Sequence, residues 1–235
     1  FWKNKKYMNE EDFRNGQVLL IDKPLNWTSF QVVNKIRWLI KNKFAIKKIK
    51  VGHAGTLDPL ATGLLIICTG KMTKEISIFQ NQTKKYTGTF LIGTTTPSFD
   101  LETKPNNTFP INHINEDLII NATKSFIGKI KQKPPIFSAI KKDGKRLYES
   151  ARIGEDVIIN DRDIEILSFN IPKINMPHID FEVECSKGTY IRSLANDFGK
   201  KLNSGATLSK LRRTKIGEYS IDKSISIEEF TMNIS

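Results

Sequence analysis

Apolar positions fall into short runs separated by turn-forming residues, with helical spacing in the segments between them. "GQVLLIDKP" is a continuous apolar run ended by Asp22, Lys23 and Pro24, the pattern of a short buried strand. In "TSFQVVNKIRWLIK", Val33, Ile36 and Ile40 share one helical face with Phe30 and Val32 flanking it, and Thr28 or Ser29 serves as N-cap. "GLLIICTG" reads as a second buried strand, and "KMTKEISIFQ" as a short helix after Gly70. In "KKYTGTFLIGTTT" the alternating residues Tyr86, Phe90 and Ile92 fall on one strand face.

The Thr-, Pro- and Asn-rich run from Thr94 to Asn115 predicts the longest irregular segment, a mobile loop placed to touch a partner. "NEDLIINATKSFIG" is helical and closes at Gly128, and Pro134 and Pro135 precede a hairpin turn at Asp143-Gly144 and a helix capped by Gly154. "RDIEILSFNI" and "HIDFEVECS" read as strands. "KGTYIRSLANDFGKKL" is a strand end turning into a helix, "LSKLRRTKIGEYS" a final strand, and "IEEF" a last helical turn. Strands and helices mix without strict β-α-β alternation, and no repeat or low-complexity linker divides them. The expected class is α+β, a mixed and mostly antiparallel sheet flanked by helices and loops. Residues 1–15 are read as a peripheral segment and 16–235 as one domain.

Charge narrows the partners. Thirty-seven Lys and Arg against 25 Asp and Glu leave a net charge of +12. A polyanion, most commonly nucleic acid, suits that excess, although a merely basic surface has the same composition. Cys68 and Cys185 lie far apart inside apolar runs, the arrangement of reduced core thiols in a cytoplasmic protein. The three histidines have no Cys or carboxylate at ligand spacing, so no metal is expected. No apolar stretch reaches the roughly 20 residues of a membrane span, and no signal peptide is visible, so no membrane partner is expected either.

One segment is chemically odd. "VGHAGTLDPLATGLL" carries a single acid, Asp58, between Leu57, Pro59 and Leu60. An unpaired charge in dry surroundings is costly, so Asp58 needs a partner or a task. The glycines do not fit a phosphate-loop or dinucleotide spacing. From this segment alone, a turn-capping Asp before Pro is the plainer reading. Arg192 falls in the first turn of a helix, where the dipole does not favour a cation, so taken singly it reads either as held by a carboxylate or phosphate or as an ordinary surface arginine. Tyr86 and His53, taken singly, read as a strand aromatic and a hydrogen-bonded loop histidine.

Taken in order and spacing, the segments resemble the TruB-type tRNA pseudouridine synthases. "LLIDKPLNWTSF", "KVGHAGTLDPLATGLLIICTGKMTK", "KKYTGTFLIGTTTPSFD", "QKPPIFSAIKKDGKRLYESAR", "GTYIRSLANDFGKKL" and "LRRTKIG" carry the resemblance, from Gly16 to Tyr219. It implies the pseudouridine synthase fold, with 16–235 as the catalytic domain, and conversion of the T-loop uridine of tRNA to pseudouridine without a cofactor. It implies that Asp58 is the nucleophile, attacking either C6 of the base or C1′ of the sugar, and that Arg192 pairs with it. Tyr86 would stack on the flipped base and move a proton. His53 would accompany the space that the extruded nucleotide leaves, and Leu211 would form an apolar wall. Lys23 and Pro24 would support the catalytic loop at the substrate. Arg212, Arg213, Lys210 and the Lys41–Lys50 run would supply phosphate contacts.

The chain departs from the family pattern in three places. Asn26 stands where Gly is common, and Asn tolerates left-handed geometry. Asn106 to Asn115 carries no family motif. The chain stops about 15 residues past the last motif, so no separate C-terminal RNA-binding domain is expected. The expected assembly is a monomer. Two further readings stand beside the isomerase: a tRNA-binding or folding chaperone without catalysis, and a related synthase acting on another RNA.

Overall fold

The apolar runs do form strands. In the computed structural model, which describes residues 8–138, 141–142, 145–146 and 159–234, the chain divides into two compact units, one of residues up to 86 and from 212 onward, the other of 87–211. Strands β4 (Lys84–Ile92) and β12 (Ala206–Ile216) contribute residues to both.

In the first unit, β1 (Val18–Lys23) pairs antiparallel with β3 (Ala61–Thr69), from Val18 opposite Cys68 to Lys23 opposite Gly63. The three residues of β2 (Val51–His53) also pair with β3, and β13 (Tyr219–Ser220) pairs with the end of β12. Successive side chains of a strand point to opposite faces. Leu19, Ile21, Leu65 and Ile67 therefore enter one buried cluster, while Leu20, Leu64, Ile66 and Cys68 enter another. Apolar side chains on both faces explain why β1 and β3 read as unbroken hydrophobic runs.

Helix α2 (Ser29–Lys43) packs on the first cluster through Val32, Val33, Ile36, Leu39 and Ile40. Thr28 is its N-cap, in a capping box with Gln31. The C-terminal helix, Ile227–Ile234, adds Ile227, Phe230 and Ile234 to the same cluster.

The N-terminal segment, expected to be peripheral, is not so throughout. Glu10–Asn15 form helix α1, closed at its start by a reciprocal Asn9–Asp12 capping box, and Phe13 is buried in the α2 cluster. One apolar residue in six shows no periodicity, so the capping pair was the available signal.

The second unit carries β4, β11 (His178–Cys185), β10 (Arg162–Asn175) and β7 (Gly128–Gln132) in that sheet order. The β10–β11 and β10–β7 pairs are antiparallel. Its core is aromatic: Phe90 stacks on Phe181 with ring centroids 4.1 Å apart, and Phe169 and Phe198 close around them. Helix α4 (Glu116–Lys124) is capped by Asn115 and ends before Gly128, which opens β7 instead of closing the helix. Ile76–Gln80 form the short helix α3 of the first unit, and Ile191–Lys201 form helix α5 of the second.

The run expected to be a mobile loop is built differently. Thr94–Thr95 and Asn107–Thr108 pair as β5 and β6, and Thr96, Ser98 and Asp100 between them are buried. A polar network replaces apolar burial: Thr96 Oγ1 and Ser98 Oγ both donate to Asp100 O, at 2.6 and 3.2 Å. Lys141–Lys142 and Lys145–Arg146 pair as β8 and β9. The Asp143-Gly144 turn and the helix expected to end at Gly154 lie outside the described residues. No helix among the described residues is long and apolar enough to cross a membrane.

Candidate active site

Residues 54–60 link β2 to β3, and backbone hydrogen bonds fix this segment along its length. The Ala54 N–H donates to Ile66 O at 2.9 Å, and the Ala61 N–H donates to Asp58 O at 3.1 Å, closing a turn over Pro59 and Leu60. The Asn26 N–H donates to Pro59 O at 2.8 Å. Asn26 has φ +63, the left-handed conformation that lets it stand in for Gly. Ser29, buried at the start of α2, accepts the Leu57 N–H at 2.8 Å and donates to Leu57 O at 3.1 Å.

Two buried cations grip this loop on either side of Asp58. Lys23, 0% exposed at the end of β1, donates from Nζ to Pro24 O, Trp27 O and Pro59 O. Arg213, 1% exposed on β12, donates from Nε to Leu64 O at 2.8 Å and from its terminal nitrogens to Gly55 O at 3.0 Å and Thr56 O at 3.4 Å. Charged donors make the stronger hydrogen bonds, and here they meet carbonyls that β-pairing leaves over. Gly63 makes the approach possible: a Cβ there would lie 2.3 Å from Arg213 O, and its φ is +105.

Burial pushes Lys23 down from 10.5 to about 8; the neighbouring Arg213 charge adds to the fall, whereas Asp58 and Asp22 oppose it. Asp58 itself is half-buried, within the field of the Lys23 ammonium. That field favours a carboxylate over a carboxylic acid. His53, half-buried at the end of β2, is held below the ordinary 6.5 by burial and then by Arg213, with the Gly55 backbone opposing, so it is neutral at pH 7.

One expected role changes on this geometry. Arg213 has no exposed donor to offer a phosphate; together with Lys23, which was expected to support the loop, it holds the Asp58 segment. The alternation of β12 separates Arg213 from its neighbour Arg212, which turns outward and is 41% exposed. Arg212 forms a fork on Asp22, at 2.6 and 3.1 Å, and reaches Thr62 Oγ1 at 3.3 Å. Tyr86 is buried on β4. In the first unit the structure therefore gathers Lys23, His53, Asp58 and Arg213 around one loop.

Arg192 and Leu211 belong to the second unit. Leu211 is half-buried on β12. Arg192 sits in the first turn of α5, is 4% exposed, and donates to Phe137 O at 2.8 Å and Ser98 O at 3.2 Å. Within this unit its carboxylate neighbour is Asp100, at 3.7 Å from Nε. Asp100 was not singled out from the sequence, where it ends an irregular Thr- and Pro-rich stretch; the buried Arg was the signal that a carboxylate must be near. Asp100 also accepts the Glu102 N–H at 3.0 Å, which holds it in place. Among the described residues no group of three or more His, Cys, Asp or Glu could hold a metal ion.

The architecture recurs in solved structures. A Cbf5-Nop10-Gar1 complex contains a chain that matches with a TM-score of 0.70 at 28% identity, covering 96% of this chain and 56% of that one. An H/ACA RNP bound to a substrate RNA containing 2′-deoxyuridine matches with a TM-score of 0.66 at 26% identity, covering 94% and 53%. This chain thus spans about half the length of those two. Its fold is that of the pseudouridine synthases.

Sequence relatives extend over nearly the whole chain. A tRNA pseudouridine synthase B from Flavobacterium johnsoniae is 63% identical across 95% of this chain and 98% of its own length. Its namesake from Chloroherpeton thalassium is 48% identical across 94% and 91%. Residues 41–191 match the TruB family pseudouridylate synthase N-terminal domain, and 192–234 match the tRNA pseudouridylate synthase B C-terminal domain. The chain belongs to the TruB family of pseudouridylate synthases.

Proposed function

We propose that this protein isomerises the T-loop uridine at position 55 of tRNA to pseudouridine, with Asp58 as the nucleophile. The observation that carries the proposal is the loop at Asp58. Its only carboxylate is half-buried, and the carbonyls on either side of it are held by the buried cations Lys23 and Arg213. A turn cap needs no such support. A nucleophile that must meet one atom of a flipped nucleotide does, because catalysis depends on pre-positioned groups. The relatives' shared name supports tRNA as substrate.

The reaction conserves atoms. The N1–C1′ glycosidic bond breaks, the uracil turns within the pocket, and C5 bonds to C1′. The C5 proton leaves and N1 takes one up. Asp58 attacks as the carboxylate, at C1′ or at C6, and the bond it forms breaks again before pseudouridine is released, returning the carboxylate that the Lys23 ammonium favours. Neutral His53 offers the RNA a hydrogen-bonding group without a charge. Tyr86 supplies an aromatic face to the extruded base, and Leu211 supplies apolar surface. Arg192 is the pairing cation for Asp58, and Asp100 positions it. Arg212, outward-facing and partly exposed, is the phosphate contact from the basic pair on β12.

Mapping of pseudouridine in a tRNA transcript treated with the enzyme tests this reading. One new pseudouridine in the T-loop is expected with the wild type and none with Asp58→Asn. A pseudouridine at another position, or one still formed by Asp58→Asn, contradicts it.

A further inference from the structure

A basic cleft of about 660 Å³ lies in the first unit, away from the Asp58 loop. Arg14 comes from α1, Arg37 and Lys41 come from α2, and Lys47, Lys48 and Lys50 come from the segment leading into β2. Lys71 and Lys74 of the 3-10 turn Gly70–Glu75 complete eight cationic side chains, and no carboxylate lines the cleft. Among the described residues, Arg14 pairs with Glu10, whereas Lys41, Lys47, Lys48, Lys50 and Lys74 have no carboxylate partner. Cations gathered in a concave site repel one another and focus a field that attracts an anion.

The backbone holds this arrangement together. Arg14 donates to Lys48 O at 3.4 Å, the Gly70 N–H to Lys50 O at 2.9 Å, and Arg37 to Val51 O at 2.9 Å. These contacts use the carbonyls of the lysine segment and leave the ammonium groups of Lys47, Lys48 and Lys50 exposed. The cleft is therefore fixed in shape with its charges turned to solvent.

Its position relative to Asp58 follows from β3. Gly63 lies opposite Lys23, which grips the Asp58 loop, whereas Thr69 lies opposite Val51 at the cleft end. Six residues at roughly 3.3 Å each separate the two ends by about 20 Å. A nucleotide held at Asp58 does not reach the cleft. On the solvent side of α2, Trp38 is 55% exposed one turn before Lys41, and Phe30 is 63% exposed two turns before Trp38. Exposed aromatics interleaved with cations suit a nucleic-acid strand, with phosphates on the charges and an unstacked base on a ring.

We propose that this cleft binds the sugar–phosphate backbone of the substrate tRNA at a second point, about 20 Å from the nucleophile. The proposal rests on the tRNA reading above. Its role is affinity and register, since phosphate contacts position an RNA without taking part in the bond changes.

The test compares wild type with Lys47→Ala/Lys48→Ala/Lys50→Ala, which removes charge and keeps the three backbone carbonyls. A control, Lys200→Ala/Lys201→Ala/Lys223→Ala, removes the same charge elsewhere. Affinity for a full-length tRNA transcript is measured across a salt series, alongside tritium release from C5-labelled tRNA. The cleft variant should bind on the order of tenfold more weakly, with a salt slope shallower by about 2 and turnover unchanged at saturating tRNA; the control should stay close to wild type. Wild-type affinity and slope in the cleft variant, or an equal loss in the control, overturns the proposal. Absence of tritium release from the wild type contradicts the isomerase reading instead, and the affinity comparison still decides the cleft.

Discussion

Lys23 and Arg213 stand at the centre of the residue-scale account, because charged side chains so fully buried need a reason. Both spend their donors on the carbonyls around Asp58. The strand alternation that drives Arg213 inward and Arg212 outward was readable from "LRRTKIG" once a strand was assigned there. Which of the two turned inward was not, since it depends on the closeness of approach that Gly63 allows. Arg213→Met leaves Gly55 O, Thr56 O and Leu64 O without this donor, and each buried unmade bond costs about 1–3 kcal/mol. We expect a loss of about 3 kcal/mol or more in denaturant unfolding, with kcat falling more than KM rises. A variant with wild-type stability and turnover would show that Arg213 does not hold the loop.

Lys23 also sets a pH dependence. Its native value of about 8 lies below the ordinary 10.5, so it loses its proton in the native state first. Activity should therefore fall as pH rises through about 8, where Asp58 loses the ammonium beside it and Pro59 O loses a charged donor. Stability from this group moves the other way. Between about 8 and 10.5 the unfolded chain binds more protons than the native one, so the group's contribution rises with pH. A kcat–pH profile flat to pH 9.5 would remove Lys23 from the account.

At the scale of elements, regular patterns were read correctly and short polar ones were not. Strands β1 and β3 and helix α2 followed from unbroken apolar runs and a 3.6-residue period. Helix α1 was missed because six residues are too few for a period, and the buried loop at Thr96–Asp100 because hydrogen bonds, not apolar side chains, hold it. The site divides in the same way. Asp58, Tyr86, His53 and Arg192 could be named from family motifs, whereas Asp100 has no local signal and is found through the Arg192 it faces. Phe13 tests whether α1 belongs to the core. Phe13→Ala should destabilise the protein by about 3–5 kcal/mol, as expected for a fully buried phenylalanine. A loss below about 1 kcal/mol, within the range of exposed sites, would return α1 to the periphery.

Over the whole molecule, the net charge of +12 connects composition with substrate. Composition alone does not separate an RNA-binding protein from a merely basic one, and the cations of this chain fall into two kinds. Some cations are buried under the Asp58 loop, and others line an open cleft. Affinity for tRNA should fall steeply with salt, by roughly 0.7–0.9 logarithmic units per tenfold rise in salt for each phosphate neutralised. A flat titration would remove phosphate contacts as the source of affinity.

The central claim is that the Asp58 carboxylate performs the isomerisation, and tritium release from C5-labelled uridine in tRNA reports it most directly. Wild type should release tritium rapidly, while Asp58→Asn, which keeps size and polarity but not the charge, should bind the same tRNA and release none. Release by Asp58→Asn at the wild-type rate, or tight binding without release by either protein, would contradict the account.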